Sequence, residues 1–328
     1  MTVTRNVALC SFVLILATAT VALAGGRSEQ PETERTYPIS IVATTGMIGD
    51  IVTHVAGDRA SVVTLMGEEV DPHLYRPTRA DVARLQSADI IFYNGLMLEG
   101  RMGDILVQVG RSRPVYAVTE LIDQSALLED DEYEEAWDPH LWMDVRLWME
   151  AVGVAVRALS EQDPHNASEY RDNADRYRAE LEDLDQYVRG IVATIPESRR
   201  VLITAHDAFG YFGAAYGLEE IGVQGISTES EAGLEDINSL VRFIVDQGVT
   251  AVFAETTVPD RALQAVIEGA ADRGHHVTIG GELFSDAMGP AGTYEGTYIG
   301  MIDHNATTIV RALGGDAPER GFRGLLSP

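Results

Sequence analysis

Between Pro164 and Pro196 the residues Tyr170, Ala174, Tyr177, Leu181, Leu184, Val188 and Ile191 recur at steps of three and four. That spacing stripes one face of an α-helix and leaves Asp, Glu and Arg to fill the rest. No other part of the chain sustains a helical pattern for so long. Asp163 stands at the cap position, Pro164 at the first helical position and Pro196 where the helix must stop. At 1.5 Å per residue the rod would span about 45 Å, the length of a whole domain. An ordinary amphipathic surface helix accounts for the stripe but not for the length, so the stretch reads as a connector between two lobes.

Strand and helix patterns alternate on both sides of it. Before the connector, strands are expected at 39–43, 60–65, 89–93 and 115–118, with helices at 47–55, 79–86, 103–109 and 144–159. After it, strands are expected at 200–204, 221–226, 251–254 and 276–279, with helices at 209–216, 235–247, 259–273 and 301–313. Strands separated by helices of this length imply parallel βαβ units. The expected fold is α/β, with two lobes, each a parallel sheet of about four strands flanked by helices, joined by one long rigid helix. The boundaries read as an export segment at 1–24, a leader at 25–37, an N-terminal lobe at 38–162, the connector at 163–196 and a C-terminal lobe at 197–328. Ligands of such sheets bind beyond the carboxyl ends of the strands, so the chemistry is expected just after each strand.

Arg5, the apolar run from Val7 to Leu23, and Ala22-Leu23-Ala24 before Gly25 read as a cleavable export signal. The chain's single cysteine, Cys10, lies inside that run and far ahead of the cut, unlike a lipid-accepting cysteine. The mature chain would hold no thiol, which excludes disulfides, zinc–thiolate sites and cysteine nucleophiles. The net charge of −27 comes from 51 acidic residues against 24 basic ones, every one of them Arg. Such a surface repels nucleic acid and anionic membranes and favours a cation as ligand. It also repels itself, and salt screens that repulsion as the Debye length falls from ~10 Å at 0.1 M to ~3 Å at 1 M. The melting temperature is therefore expected to rise between dilute and molar NaCl, and a flat or falling curve in a salt series would refute this.

One local pattern occurs twice: Asp71-Pro72-His73-Leu74-Tyr75 and Asp138-Pro139-His140-Leu141-Trp142. Proline sets its own φ and pushes the preceding Asp into an extended shape, so the following imidazole leaves the backbone in a set direction. Each Asp is also placed to orient its own histidine. His206 follows a strand, in Thr204-Ala205-His206-Asp207, and Asp286 follows another, in Ser285-Asp286-Ala287-Met288-Gly289. Three imidazoles and a carboxylate at strand ends form an N3O set suited to a divalent ion. With ordinary imidazole pKa values of about 6.5, metal and protons would compete just below neutrality. Glu255 ends a strand on the same rim, as a pocket residue or a strand-end cap. His54, His165, His275, His276 and His304 read as structural or surface residues. No H-E-x-x-H, G-x-S-x-G, Walker or dinucleotide-glycine pattern is present.

With these motifs in order, together with Thr204-Ala205-His206-Asp207-Ala208-Phe209-Gly210-Tyr211-Phe212, Gly225 to Gly233 and Gly296 to Met301, nearly the whole mature chain resembles the manganese/zinc solute-binding proteins of ABC transporters, the TroA-like group. The resemblance implies two α/β lobes bridged by a rigid helix, and one ion held between them by two ligands from each: His73 and His140, then His206 and Asp286. It implies extracytoplasmic capture of Mn2+ or Zn2+ and delivery to a membrane permease with its ATPase, by a monomer that is not an enzyme. Some manganese-preferring members carry glutamate where His206 stands. Zinc members often carry a histidine-rich loop where this chain has Glu129, Asp130, Asp131, Glu132, Glu134 and Glu135, which read as a solvated acidic loop. The rival readings are a secreted zinc metallohydrolase, which needs an open coordination site beside a general base, and a metal-dependent surface adhesin.

Overall fold

The computed structural model describes residues 1–2, 37–130 and 136–327. Most of the export segment with Cys10, the leader up to residue 36 and residues 131–135 of the acidic loop lie outside the described residues. Residues Met1–Arg35 form a unit of their own, and every element named below belongs to the unit Thr36–Pro328.

The first lobe is a parallel sheet of β1 (Ile39–Ala43), β2 (Ala60–Thr64), β3 (Ile90–Tyr93) and β4 (Val115–Ala117), in the order β2-β1-β3-β4. Around it lie α1 (Gly46–Ala56), α2 (Arg79–Ser87), α3 (Gly103–Val109) and α4 (Val145–Gln162). Strand order reverses at β1, so the crevice for a ligand opens past the carboxyl ends of β1 and β3. The start of α2 is where its cap residue sets it. Thr78 closes a capping box on α2 with Asp81, whose carboxylate accepts the Thr78 N–H at 2.8 Å.

The connector is α5 (Ala167–Val192), 26 residues long and so about 39 Å. It is shorter than the Pro164–Pro196 rod because both ends are spent on other contacts. Pro164–Asn166 turn as a separate 3-10 piece, and the Asp163 carboxylate accepts the Tyr37 and Tyr170 hydroxyls at 2.7 and 2.6 Å instead of capping. At the far end Thr194 Oγ1 donates to the Ile191 carbonyl at 2.6 Å and accepts the Asp316 N–H at 2.8 Å. All seven residues of the predicted stripe are buried.

The helix is not a bare rod. It packs on α1, α4 and the closing helix α9 (Tyr298–Ala312), and one large apolar core runs through both lobes along it. Asp185, fully buried on α5, accepts from Arg146 of α4 at 2.8 Å, Arg189 at 2.8 Å and Tyr216 of α6 (Gly210–Tyr216) at 3.2 Å. One carboxylate thus ties elements from both sides of the connector, which leaves room for rocking but not for a wide swing.

The second lobe holds β5 (Val201–His206), β6 (Glu219–Gln224), β7 (Ala251–Glu255) and β8 (Thr278–Leu283), with α7 (Leu234–Gln247) and α8 (Arg261–Ala271). Its four strands are parallel within two ladders, β5–β6 and β7–β8. The ladders meet where β5 lies against β7. β6 starts two residues earlier than expected and β8 two residues later. β8 carries Gly280 and Gly281 because α9 crosses it closely: a Cβ on Gly281 would lie 2.3 Å from Thr308 Cγ2, and one on Gly280 would lie 2.8 Å from Ala312 Cβ.

Candidate metal centre

The two Asp-Pro-His turns share one device. Asp71 Oδ1 accepts the backbone N–H of His73 at 2.8 Å, and Asp138 Oδ1 accepts that of His140 at 2.9 Å. Beyond that they differ. Asp138 also takes the Nδ1–H of its own histidine at 2.7 Å, which fixes the tautomer and turns Nε2 inward. Asp71 does not reach the His73 ring, because its second oxygen accepts the Thr228 hydroxyl at 2.6 Å. The expectation that each Asp orients its own imidazole therefore holds only for the second copy.

His206 is the last residue of β5. Its N–H and Nδ1–H both go to Glu255 at the end of β7, at 2.9 and 2.5 Å. Glu255 is thus neither a bare cap nor a cavity wall; it sets the orientation of a buried imidazole across the junction of the two ladders. Asp286 sits on the loop after β8. Phe284 exchanges two hydrogen bonds with the Asn305 amide of α9, and Trp142 Nε1 donates to the Ser285 carbonyl at 2.8 Å. Trp142 also stands edge-on to His140, ring centres 5.2 Å apart. The sequence carries Trp142 in plain view beside His140, but nothing local says that it reaches Ser285.

These elements bring His73, His140, His206 and Asp286 together, all buried, each offering one ligand atom within 4.8 Å of the others. His73 Nε2 is 3.2 Å from His140 Nε2, and the Asp286 oxygens are 3.6, 3.4 and 3.3 Å from the Nε2 atoms of His73, His140 and His206. Ion–ligand distances of 2.0–2.1 Å imply tetrahedral edges of about 3.3–3.4 Å, close to these four separations. His206 Nε2 and both Asp286 oxygens are buried with no hydrogen-bond partner. Buried polar atoms are costly to leave unpaired, and a cation at their centre satisfies all three at once.

In the empty protein, protons on His140 and His206 can stand opposite Asp286 in place of an ion. Burial, helped by neighbouring His140 and His206, pushes His73 down to about 3 despite Asp286. Burial also opposes charge on His140, but Asp138 and Asp286 outweigh it and lift the group to about 9. His206 is lifted well above the ordinary range by Glu255 and Asp286 against the same penalty. Asp286, against its own burial, is held well below the carboxylate range by His206 and His140. Competition between metal and protons is therefore expected to extend upward from the window just below neutrality, because Asp138, Glu255 and Asp286 favour the charged form of two imidazoles.

The remaining histidines do not join the cluster. His54 stacks on Tyr177 at 4.0 Å, His275 Nε2 meets the Val249 carbonyl at 2.5 Å, and His304 Nε2 meets the Glu282 carbonyl at 2.9 Å. The base of the acidic loop closes as a narrow pair, Glu129 against Trp137, with Asp130 N–H on the Ala136 carbonyl at 3.0 Å.

Two lobes on a shared helix, with an N3O cluster near their strand ends, define a binding-protein architecture whose four clustered donors could hold one metal ion. The chain belongs to the family described as ZnuA, zinc-uptake complex component A periplasmic, whose sequence model matches residues 41–312. It is 43% identical over 295 residues to the manganese-binding lipoprotein MntA of Bacillus subtilis, covering 90% of this chain and 96% of that one. It is 47% identical over 273 residues to the zinc-binding protein TroA of Treponema pallidum, covering 83% and 88%. The solved structure of that periplasmic protein superposes with a TM-score of 0.81 at 46% identity, covering 84% of this chain and 99% of the other. A more distant relative, 29% identical over 311 residues and covering 93% and 98%, is the metal ABC transporter substrate-binding lipoprotein ScbA of Streptococcus cristatus. Proteins of this family are extracytoplasmic metal-binding components of ABC transporters, and the family is one of solute-binding proteins, not enzymes.

Proposed function

We propose that this protein captures one Mn2+ or Zn2+ ion outside the cytoplasmic membrane, with His73, His140, His206 and Asp286 as its four ligands, and hands it to a membrane permease with its ATPase. The convergence of four buried donors within 4.8 Å of one another, three of their atoms unpaired, carries the reading. Two ligands come from the chain before α5 and two from the chain after it, so the ion acts as a clasp between lobes taken as 38–162 and 197–328, with the connector at 163–196. Export by a signal cleaved after Ala24, action as a monomer and no enzymatic activity complete the proposal. A metallohydrolase is not favoured, because four protein donors close the coordination shell and Glu255 is committed to His206. A metal-dependent surface adhesin is not favoured, because the matching family and relatives are described as metal-uptake and metal ABC transporter components. Protein isolated from the export compartment of its native host is expected to carry close to one equivalent of Mn or Zn by elemental analysis. Recovery with no transition metal would defeat the proposal.

Glu255 supports the site without touching the ion. Glu255→Gln keeps the shape of the side chain but weakens the anchor on the His206 ring, and such outer partners typically contribute 10–100-fold in metal affinity. A competition titration with a chelator is expected to show a loss in that range. An unchanged dissociation constant would mean that His206 is aimed by β5 alone.

A further inference from the structure

The segment between β6 and α7 shares the lining of a cavity with His73 and touches the chain before α5 at two points. Thr228 Oγ1 donates to Asp71 Oδ2 at 2.6 Å, and Arg101 Nε donates to Glu229 Oε1 at 2.7 Å. The second bond is partly exposed, with Glu229 at 49%, and contributes little. The first has a different setting. The same Asp71 carboxylate accepts the N–H groups of His73 and Leu74 through its other oxygen, at 2.8 and 3.3 Å. His140 and His206 each have a carboxylate on the ring nitrogen that faces away from the cluster. Among the described residues no carboxylate holds His73 in that way, so its aim depends on the turn that Asp71 shapes.

Two cavities flank the segment. A cavity of about 460 Å³ opens beside His73 and is bounded by Met97, Ser227 and Glu229. Another of about 530 Å³ is bounded by Asp71, Leu74, Thr228 and Glu231. The Thr228–Asp71 contact lies in the wall of the second. Breaking it frees the segment to lift and loosens the His73 turn in one event.

We propose that Thr228 is a positioning residue of the metal site: through Asp71 it ties the His73 turn to the segment between β6 and α7, and so sets how fast the ion leaves. The proposal rests on the four donors being the metal site. Its test is the release of Zn2+ and of Mn2+ from the loaded full chain into excess chromophoric chelator, followed by stopped flow. Thr228→Val keeps the shape and removes the hydroxyl; Thr228→Ser restores the hydroxyl. Hydrogen bonds to a charged group are strong enough that Thr228→Val is expected to release the ion about tenfold faster, with affinity weakened by a similar factor. Thr228→Ser should stay close to wild type, and Glu229→Gln should accelerate release by less than Thr228→Val. Equal rates for wild type and Thr228→Val overturn the latch alone, and so does equal acceleration by Val and Ser, which would mean packing and not the hydroxyl. A wild-type chain that takes up neither ion overturns the metal reading and the latch with it.

Discussion

Asp286→Asn should erase most of the stabilisation that metal confers. An ion bound only by the folded state at ~1,000 times its dissociation constant adds about 4 kcal/mol, which for a chain of this size is roughly 6–7 °C in melting temperature. Asp286 is the ligand that meets all three imidazoles, at 3.6, 3.4 and 3.3 Å. The amide brings no negative charge, and one of its two inward atoms becomes a donor facing the ion. His206→Ala should lose most of the shift as well, although it lies 80 residues away in sequence, because the cage closes only when both lobes contribute. In the metal-free state the cost of Asp286→Asn should be smaller. His140 and His206 can release their protons once the central carboxylate is gone, and Asp138 and Glu255 still hold their rings. Melting curves of wild type and both variants, each with and without Mn2+ or Zn2+, measure this. If Asp286→Asn keeps the full metal-induced shift, the fourth ligand is wrongly assigned and the two-plus-two clasp must be abandoned.

Metal affinity should depend steeply on pH, through and above neutrality. In the metal-free protein His140 stays protonated up to about 9 and His206 is raised in the same direction, both for the sake of Asp286 and their outer carboxylates. A divalent ion replaces two imidazolium protons at almost unchanged charge, so each ion bound near pH 7 should expel about two protons. Apparent affinity should then rise up to about 100-fold per pH unit until the raised pKa values are passed. The stability linkage runs the other way for the empty protein. A histidine whose folded pKa exceeds the unfolded value of about 6.5 contributes stability that is fully present below pH 6.5 and is lost as pH climbs through the folded value near 9. His73, lowered to about 3 by burial, opposes this on the acid side: the unfolded chain takes up its proton below about 6.5 and the folded one does not, so stability falls with acidity there. The metal-induced rise in melting temperature should therefore grow from pH 6 to pH 8. Calorimetric titrations in two buffers of different ionisation enthalpy count the protons directly. Zero proton release at pH 7 would show that the imidazoles are already neutral in the empty site.

Much of this architecture is legible without coordinates. The stripe from Tyr170 to Ile191 follows from a period that neighbours three and four apart impose on any helix, and every member of it is buried. The paired Asp-Pro-His turns aim their backbones alike because proline restricts the same two dihedrals in each, and His206 and Asp286 fall near strand ends where parallel sheets expose their ligands. These are consequences of bonding within a few residues. The connector's true ends were not legible, since Asp163 is drawn off by Tyr37 and Tyr170, and Thr194 by Asp316, contacts with no trace in local spacing. Nor was the glycine-bearing register of β8, which depends on where α9 crosses it. The same limit separates the two turns: Asp138 grips its own imidazole while Asp71 is shared with Thr228, 157 residues further on. Glu255 reads as a cap or a pocket residue until β5 and β7 are seen to end side by side. Residue type and short-range spacing determine which groups are available at a strand end. Which carboxylate holds which imidazole, and hence how protonated the empty site is, depends on strand order and lobe contact, because hydrogen bonds and burial act between neighbours in space.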